Sequence, residues 1–202
     1  DIFKLSIGIQ TGPMLTAADW DQIGDGNDRV VGRGAANTGI DSFGGDDWLT
    51  ADNWNVHLSG GDGNDVLELL SDDDVGAGGA GADYFIFDGF SVMRTAPWET
   101  QWGTVEDFEE GTDKIGIVNG TAGVHNYADL QPFMMQNGSD VVINLPGLQQ
   151  ITIQNVTLGS LNADDFWFGA WATDGGFGPA PAAGSVPWPT TTVTLPLNSG
   201  AI

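Results

Sequence analysis

The stretch from Gly60 to Ile86, GGDGNDVLELLSDDDVGAGGAGADYFI, constrains this chain more than any other. Its first nine residues, GGDGNDVLE, and its last nine, GGAGADYFI, both fit Gly-Gly-x-Gly-x-Asp-x-apolar-x. They begin at Gly60 and Gly78, so one further nine-residue unit lies between them. A unit of this kind is a turn followed by a short strand, and two units make one coil of a parallel β-roll. Turns two units apart then stack on the same edge. Glycine gives those turns φ > 0 at little steric cost and lets backbone carbonyls face inward. The aspartate adds a hard, charged oxygen, which suits calcium. Leu67 and Phe85, two places after the aspartates, are expected to face the interior, as alternate strand residues do.

The chain has 28 acidic residues against five basic ones, a formal charge of −23. Nucleic acid and anionic membrane surfaces are therefore poor partners. Acidity of this order suits a solvated or disordered chain. Yet 41% of the residues are apolar, with ten Phe and eight Trp, enough for a core. A chain that cannot pack until cations neutralise it reconciles the two facts. There is no cysteine, so neither disulfides nor thiolate metal sites are available. No run approaches ~18 apolar residues, so no transmembrane helix is expected. With 202 residues there is room for one domain, or one domain and a small appendage. The chain opens at Asp1 without a basic-then-apolar leader. A removed leader, a fragment and export without an N-terminal signal all stay open.

Residues 1–22 alternate around Phe3, Leu5, Ile7 and Ile9 and predict a strand, either a cap on the open end of the roll or a plain edge strand. Residues 23–88 carry the repeat. IGDGNDRVV at 23–31 lacks only the first glycine. Gly39, Asp41 and Phe43 fit the fourth, sixth and eighth positions of a degenerate unit, and SFGGDDWLT at 42–50 keeps Gly45, Asp47 and Leu49 there. ADNWNVHLS at 51–59 keeps strand character at Val56 and Leu58 but has lost the turn aspartate. The edge carrying Asp47, Asp65 and Asp83 is thus rich in metal donors and the opposite edge poor. On that poor edge the unit at 69–77 retains Asp74, with Gly76 where an apolar residue belongs.

Residues 89–168 leave the repeat. A loop at 88–104 contains Trp98 and Trp102, which suit either a sugar-binding platform or a cover for the roll's end, and Trp's usual burial favours cover. Strands are predicted at 141–145 and 151–156, with a turn at Pro146-Gly147. LNADDFWF starts with helix-start polar residues and ends apolar. The whole reads as a sheet continuing the roll. The remaining residues, 169–202, hold five of the nine prolines. Within them TTTVTL (190–195) is expected to add a strand to an exposed sheet edge, of this chain or of a neighbouring copy.

These residues resemble the RTX (hemolysin-type calcium-binding) proteins exported by bacterial type I secretion. The two full nonapeptides carry the resemblance, together with DFEEGTDKIGI (107–117) and the run ADL…GSDVVINLPGLQQITIQNVTLGSLNADDFWF ending at Phe168. It covers about residues 23 to 168. It implies an all-β fold, a parallel β-roll continued by a C-terminal β-sheet region, here followed by a Pro/Gly/Trp-rich tail. It further implies calcium (Ca2+) as cofactor. Asp65 and Asp83 would be carboxylate ligands, with Asp47 and Asp28 matching less completely. The carbonyls of Gly61, Gly63, Gly79 and Gly81 would complete the shells. Asp62 fills a third position where an acid adds a ligand or simply faces solvent, and Asp74 would be the ligand of the 69–77 unit. Asp107 and Asp113 read as turn-capping acids first and ligands second. The family usually ends near the Asp-Asp-Phe-x-Phe motif, whereas here another 34 residues follow.

An enzyme is not expected. Glu106 with Asp107, or Glu109 with Glu110, are sequence neighbours, whereas paired-carboxylate catalysis needs opposed groups about 5 to 9 Å apart. His57 and His125 are the only histidines and neither has a HExxH context. No serine sits in a G-x-S-x-G elbow. Two function classes follow. One is a secreted calcium-binding module that folds outside the cell and acts as a structural, adhesive or self-assembling surface unit. Its partners would be extracellular polysaccharide, or copies of itself through the 169–202 tail in an oligomer or filament. The other is the noncatalytic C-terminal module of a larger extracellular protease or polysaccharide lyase. Replacing Asp65 by Ala should weaken two stacked sites, and replacing Glu68 should do little.

Overall fold

The computed structural model describes residues 26–33, 38–52, 55–70, 73–88, 101–118, 123–146, 149–169 and 193–194. The strands are β1 (Arg29–Arg33), β2 (Thr38–Asp41), β3 (Trp48–Asp52), β4 (Val56–Asp62), β5 (Val66–Leu69), β6 (Asp74–Ala80) and β7 (Tyr84–Asp88). They continue with β8 (Gln101–Val105), β9 (Lys114–Val118), β10 (Met134–Asn137), β11 (Asp140–Leu145), β12 (Gln149–Ile153), β13 (Phe166–Gly169) and β14 (Val193–Thr194). One short helix, α1 (Tyr127–Leu130), starts at Asn126, whose side chain accepts from the Asp129 N–H. The predicted cap strand at 1–22 lies outside the described residues, as does Trp98.

From β1 to β9 successive strands alternate between two seven-stranded sheets. One runs β13-β9-β7-β5-β3-β1-β14 and is parallel throughout. The other runs β10-β11-β12-β8-β6-β4-β2 and is parallel from β2 to β12. It closes with the antiparallel strands β11 and β10. Strands two apart in sequence pair in register, Trp48 with Val66 and Val66 with Tyr84, so each coil is two nonapeptides long. This is a parallel β-roll. Strands β8 to β13 extend the same two sheets, so the C-terminal region shares the roll's core.

The interior follows the eighth repeat position. Val30, Leu49, Leu67 and Phe85 stand side by side across the first sheet, continued by Ile115 and Phe166, and all are buried. Opposite them run Ile40, Leu58, Val105, Ile153 and Val141. Gly76 interrupts that second row for a steric reason. A Cβ there would lie 3.1 Å from Phe85 Cδ1 and 3.2 Å from Leu69 Cδ1, so the Phe85 ring takes the space. Gly103 makes the same allowance for Phe87, whose Cε1 would be 2.5 Å away. Interiors are close-packed, so a large side chain on one sheet requires a small one across from it.

Four expectations need correction, the first being the loop at 88–104, which is strand β8 from Gln101 onward. Phe43 is not an interior residue of a degenerate unit. It lies in the turn before β3 at φ 65 and is 43% exposed, and Ile40 takes the inward position. Strand β12 ends at Ile153 rather than 156, because Asn155 turns the chain at φ 58 and its N–H donates to Asp140 Oδ1 at 3.0 Å. Trp102 does not cover the core, being 52% exposed. Away from the interior, Glu68 is 1% exposed and its Oε2 accepts the Thr50 hydroxyl at 2.6 Å. The outward face of the first sheet is buried as well, with Trp48, Val66, Ile86 and Val118 forming a second apolar cluster.

The backbone of Val193 and Thr194 pairs in parallel with Val30 and Val31 of β1. The tail segment thus adds its strand to an edge of its own chain. Among the described residues no helix is long and apolar enough to cross a membrane.

Candidate metal centre

The turns entering β1, β3, β5, β7 and β9 stack on one edge of the roll, and each ends in an aspartate: Asp28, Asp47, Asp65, Asp83 and Asp113. These form a ladder. The N–H of Asp28 donates to Asp47 Oδ1 at 2.7 Å, that of Asp47 to Asp65 Oδ1 at 2.8 Å, and that of Asp65 to Asp83 Oδ1 at 2.8 Å. The N–H of Asp83 donates to Asp113 Oδ1 at 3.0 Å. Their carbonyls face the same next coil as their N–H groups, accepting from Trp48, Val66, Tyr84 and Lys114 at 2.8 Å. Each carboxylate therefore seals the previous coil with one oxygen.

The second oxygen separates the members. Asp47, Asp65 and Asp83 are fully buried, and in each Oδ2 has no hydrogen-bond partner. Leaving a buried carboxylate oxygen unpaired is costly in the absence of a compensating charge. Burial accordingly pushes Asp65 up to about 8 and Asp47 and Asp83 up to about 7. The cross-coil N–H bonds, and for Asp47 the Ser42 side chain as well, pull in the opposite direction, and the neighbouring carboxylates raise the values further. Adjacent strands are ~4.8 Å apart. At an effective dielectric constant of about 20, two full charges at that spacing repel by roughly 3.5 kcal/mol. An ionised ladder therefore requires positive charge between its rungs.

Backbone oxygen is close by. A Cβ built on Gly60 would collide with Asp65 Oδ2 and come within 2.6 Å of the Gly78 carbonyl, so the two oxygens converge over Gly60 from successive coils. A Cβ on Gly78 would likewise strike Asp83 Oδ2. A Cβ on Gly79 would strike the Gly61 carbonyl, and one on Gly81 the Gly63 carbonyl. Gly61 and Gly79 sit at φ 100 and 95, which L side chains rarely adopt. Carboxylate and carbonyl oxygens in a pocket too tight for a methyl group suit a hard cation such as calcium. Among the described residues no three acidic or imidazole side chains converge on one point. In such a centre the backbone supplies most donors and each coil adds one carboxylate.

The predicted residues are not all brought together. Asp28 ends the ladder half-buried and contributes its N–H. Asp62 belongs to the same turn as Asp65, but its side chain is exposed. Asp74 lies on the opposite edge, buried, with Oδ1 accepting the Val56 N–H at 3.0 Å. Asp107 and Asp113 act as caps. Asp107 takes the N–H groups of Gly78 and Gly79 at 2.9 Å each. Asp113 adds the Glu109 N–H at 2.8 Å to that of Asp83, so both its oxygens are bonded.

Two features escaped the sequence reading. The first-position carbonyls of Gly60 and Gly78 face the same gaps as the carboxylates. A second ladder runs along the fifth positions: Asn27 Oδ1 accepts from the Asp46 N–H, Asp46 Oδ1 from Asn64, and Asn64 Oδ1 from the Ala82 N–H. The recurrence of Asn or Asp at 27, 46 and 64 was the signal for it.

No protein-family model matches the chain, and no curated protein matches it. Among solved structures it is similar to the extracellular lipase LipA from Serratia marcescens, with 22% identity, a TM-score of 0.36, and coverage of 70% of this chain and 19% of that one. It is also similar to the AlgE6R3 subunit of the mannuronan C5-epimerase from Azotobacter vinelandii. There the identity is 23%, the TM-score 0.38, and the coverage 92% of this chain and 99% of that one. The chain thus spans about a fifth of the lipase's length. The assignment as a β-roll rests on the strand order and register above.

Proposed function

We propose that the chain is an extracellular, noncatalytic calcium-binding module whose folding is coupled to calcium. One observation carries this reading: the buried, unpartnered Oδ2 atoms of Asp65 and Asp83, each beside a glycine on a single edge. In a calcium-poor compartment the −23 charge keeps the chain open and threadable. Where calcium is plentiful, binding to the folded form alone stabilises it by roughly 2.7 kcal/mol per site at a hundredfold excess over Kd. A few sites then match the ~5–15 kcal/mol net stability of an ordinary domain. When bound, calcium supplies the missing positive charge. The chain's own residues hold the turns open for it and keep water from the carboxylates.

A structural or adhesive role outside the cell is the use that fits such a module, with type I secretion as the route. The half-exposed Trp102, beside Gln150 on the neighbouring strand, supports extracellular polysaccharide as its partner. The pairing of Val193–Thr194 with β1 supports an edge-closing role for the tail rather than a filament contact. A calcium titration of chelator-treated protein, followed by far-UV circular dichroism with light scattering, tests the reading. A coil-to-β transition on added calcium is expected, with scattering unchanged. A chain already folded in chelator and indifferent to calcium would sink it.

A further inference from the structure

The stacked turns differ at their first position. Gly60 and Gly78 hold it in two coils, and Ser42 holds it in the coil before. Over Gly60, Asp65 Oδ2 and the Gly78 carbonyl converge on a point that a Cβ would occupy. One coil earlier, the same register makes the corresponding pair the Asp47 carboxylate and the Gly60 carbonyl, and the Ser42 side chain also hydrogen-bonds to Asp47. Ser42 supplies a real Cβ at that point and is fully buried. Its hydroxyl donates to the Gly60 carbonyl at 2.7 Å, with the Ser59 carbonyl at 3.3 Å. An oxygen that faces an open gap in the next coil here already accepts a protein proton.

The rest of this turn is also held by protein groups. The Phe43 N–H donates to Asp41 Oδ1 at 3.1 Å, the Gly44 N–H to the Ser42 carbonyl at 2.9 Å, and the Ser42 N–H to the Ser59 carbonyl at 3.0 Å. Phe43 occupies the second position at φ 65, where the next two turns have glycine. A non-glycine residue persists in that region only where its surroundings over-determine it.

We propose that Ser42 closes the gap between the 42–47 and 60–65 turns to calcium, while the gap between the 60–65 and 78–83 turns stays open. The inference rests on the calcium reading above. Calcium needs about six to eight oxygens turned towards it. A hydroxyl proton on the Gly60 carbonyl and a methylene beside it remove both a donor and the volume. The closed turn is thus the part of the roll that stands without metal.

Native mass spectrometry of the full chain at saturating calcium, supported by titration calorimetry, counts the ions directly. Ser42→Gly should bind one ion more than the unaltered chain. Ser42→Ala keeps the Cβ and should bind the same number. No gain in Ser42→Gly, or the loss of one ion in Ser42→Ala, would overturn the proposal, the second by making the hydroxyl a ligand. Should Ser42→Gly fail to fold, Ser42→Ala alone still decides between plug and ligand. An unaltered chain that binds no calcium would instead remove the calcium reading, and the proposal with it.

Discussion

Asp65 and Asp113 hold equivalent places two coils apart on the same edge of the roll, and both accept an N–H from the coil before. Their remaining oxygens have opposite fates. Asp113 Oδ2 takes the Glu109 N–H, within a turn that Asp165 also ties by accepting the Gly111 N–H at 2.9 Å. Asp65 Oδ2 takes nothing, and it faces a carbonyl across the coil gap. The glycine-rich turn is built short, with its carbonyls turned inward, so it has no N–H to spare for the carboxylate. The longer DFEEGTD turn folds its own backbone around the aspartate. The same residue at the same rung therefore keeps an open carboxylate oxygen where the turn is a repeat and is a cap where it is not. The stack ends at the place where protein hydrogen bonds satisfy both carboxylate oxygens.

The largest effect expected from this difference is on pH dependence without calcium. Asp47, Asp65 and Asp83 have folded-state values of about 7 to 8, above their ordinary 3.8. Between these limits the folded chain binds more protons than the unfolded one, so stability falls as pH rises. In chelator the protein should be more β-structured at pH 5 than at pH 8, losing structure as pH climbs from about 4 through 7 to 8. Calcium should abolish the loss. Circular dichroism at the two pH values checks this, and a chain steadier at pH 8 than at pH 5 in chelator would break the comparison.

Substitutions sharpen it further. Asp65→Ala should weaken calcium binding by at least about tenfold, since one lost charge-assisted contact is worth ~1.5–3 kcal/mol. Asp113→Ala should instead lower stability by a similar ~2–3 kcal/mol in urea unfolding while calcium affinity holds, because two backbone N–H groups lose their acceptor. Equal loss of calcium affinity in the two variants would erase the distinction between ligand and cap. Glu68→Ala should cost about 1–3 kcal/mol through the stranded Thr50 hydroxyl without changing calcium affinity, as thermal melts at saturating calcium would show. Smallest is Asp62→Ala, expected within about 0.5 kcal/mol of the unaltered chain because its side chain faces solvent. A marked fall in calcium affinity there would return Asp62 to the ligand shell.

Most of the β-roll was legible because its determinants are local. A turn that needs positive φ and a strand of period two leave the same signature in every unit, so the interior places of Leu49, Leu67 and Phe85 follow from spacing alone. The capping roles of Asp107 and Asp113 were legible too, since acids beside glycine in a turn reach nearby backbone N–H groups. Phe43 was not: the spacer before it carries no glycine pair to mark the turn, so counting with Gly39 and Asp41 put Phe43 at an inward eighth position. The Trp102 exposure and the Glu68 burial were equally hidden, because strand alternation tells which sheet face a residue takes but not whether that face meets water.

By itself, then, the sequence determined the coil length, the inward rows, the glycine turns and the edge on which acidic oxygen collects, all of which depend on residues within a unit or one repeat away. Only the tertiary structure decided which carboxylate oxygens go unpartnered, that Ser42 fills one gap, and that the outward face carrying Trp48, Thr50 and Glu68 is buried. The physical reason is reach. Asp83 meets Asp113 across 30 positions and Gly111 meets Asp165 across 54. Whether a buried oxygen finds a donor depends on such distant partners, and no local pattern encodes them.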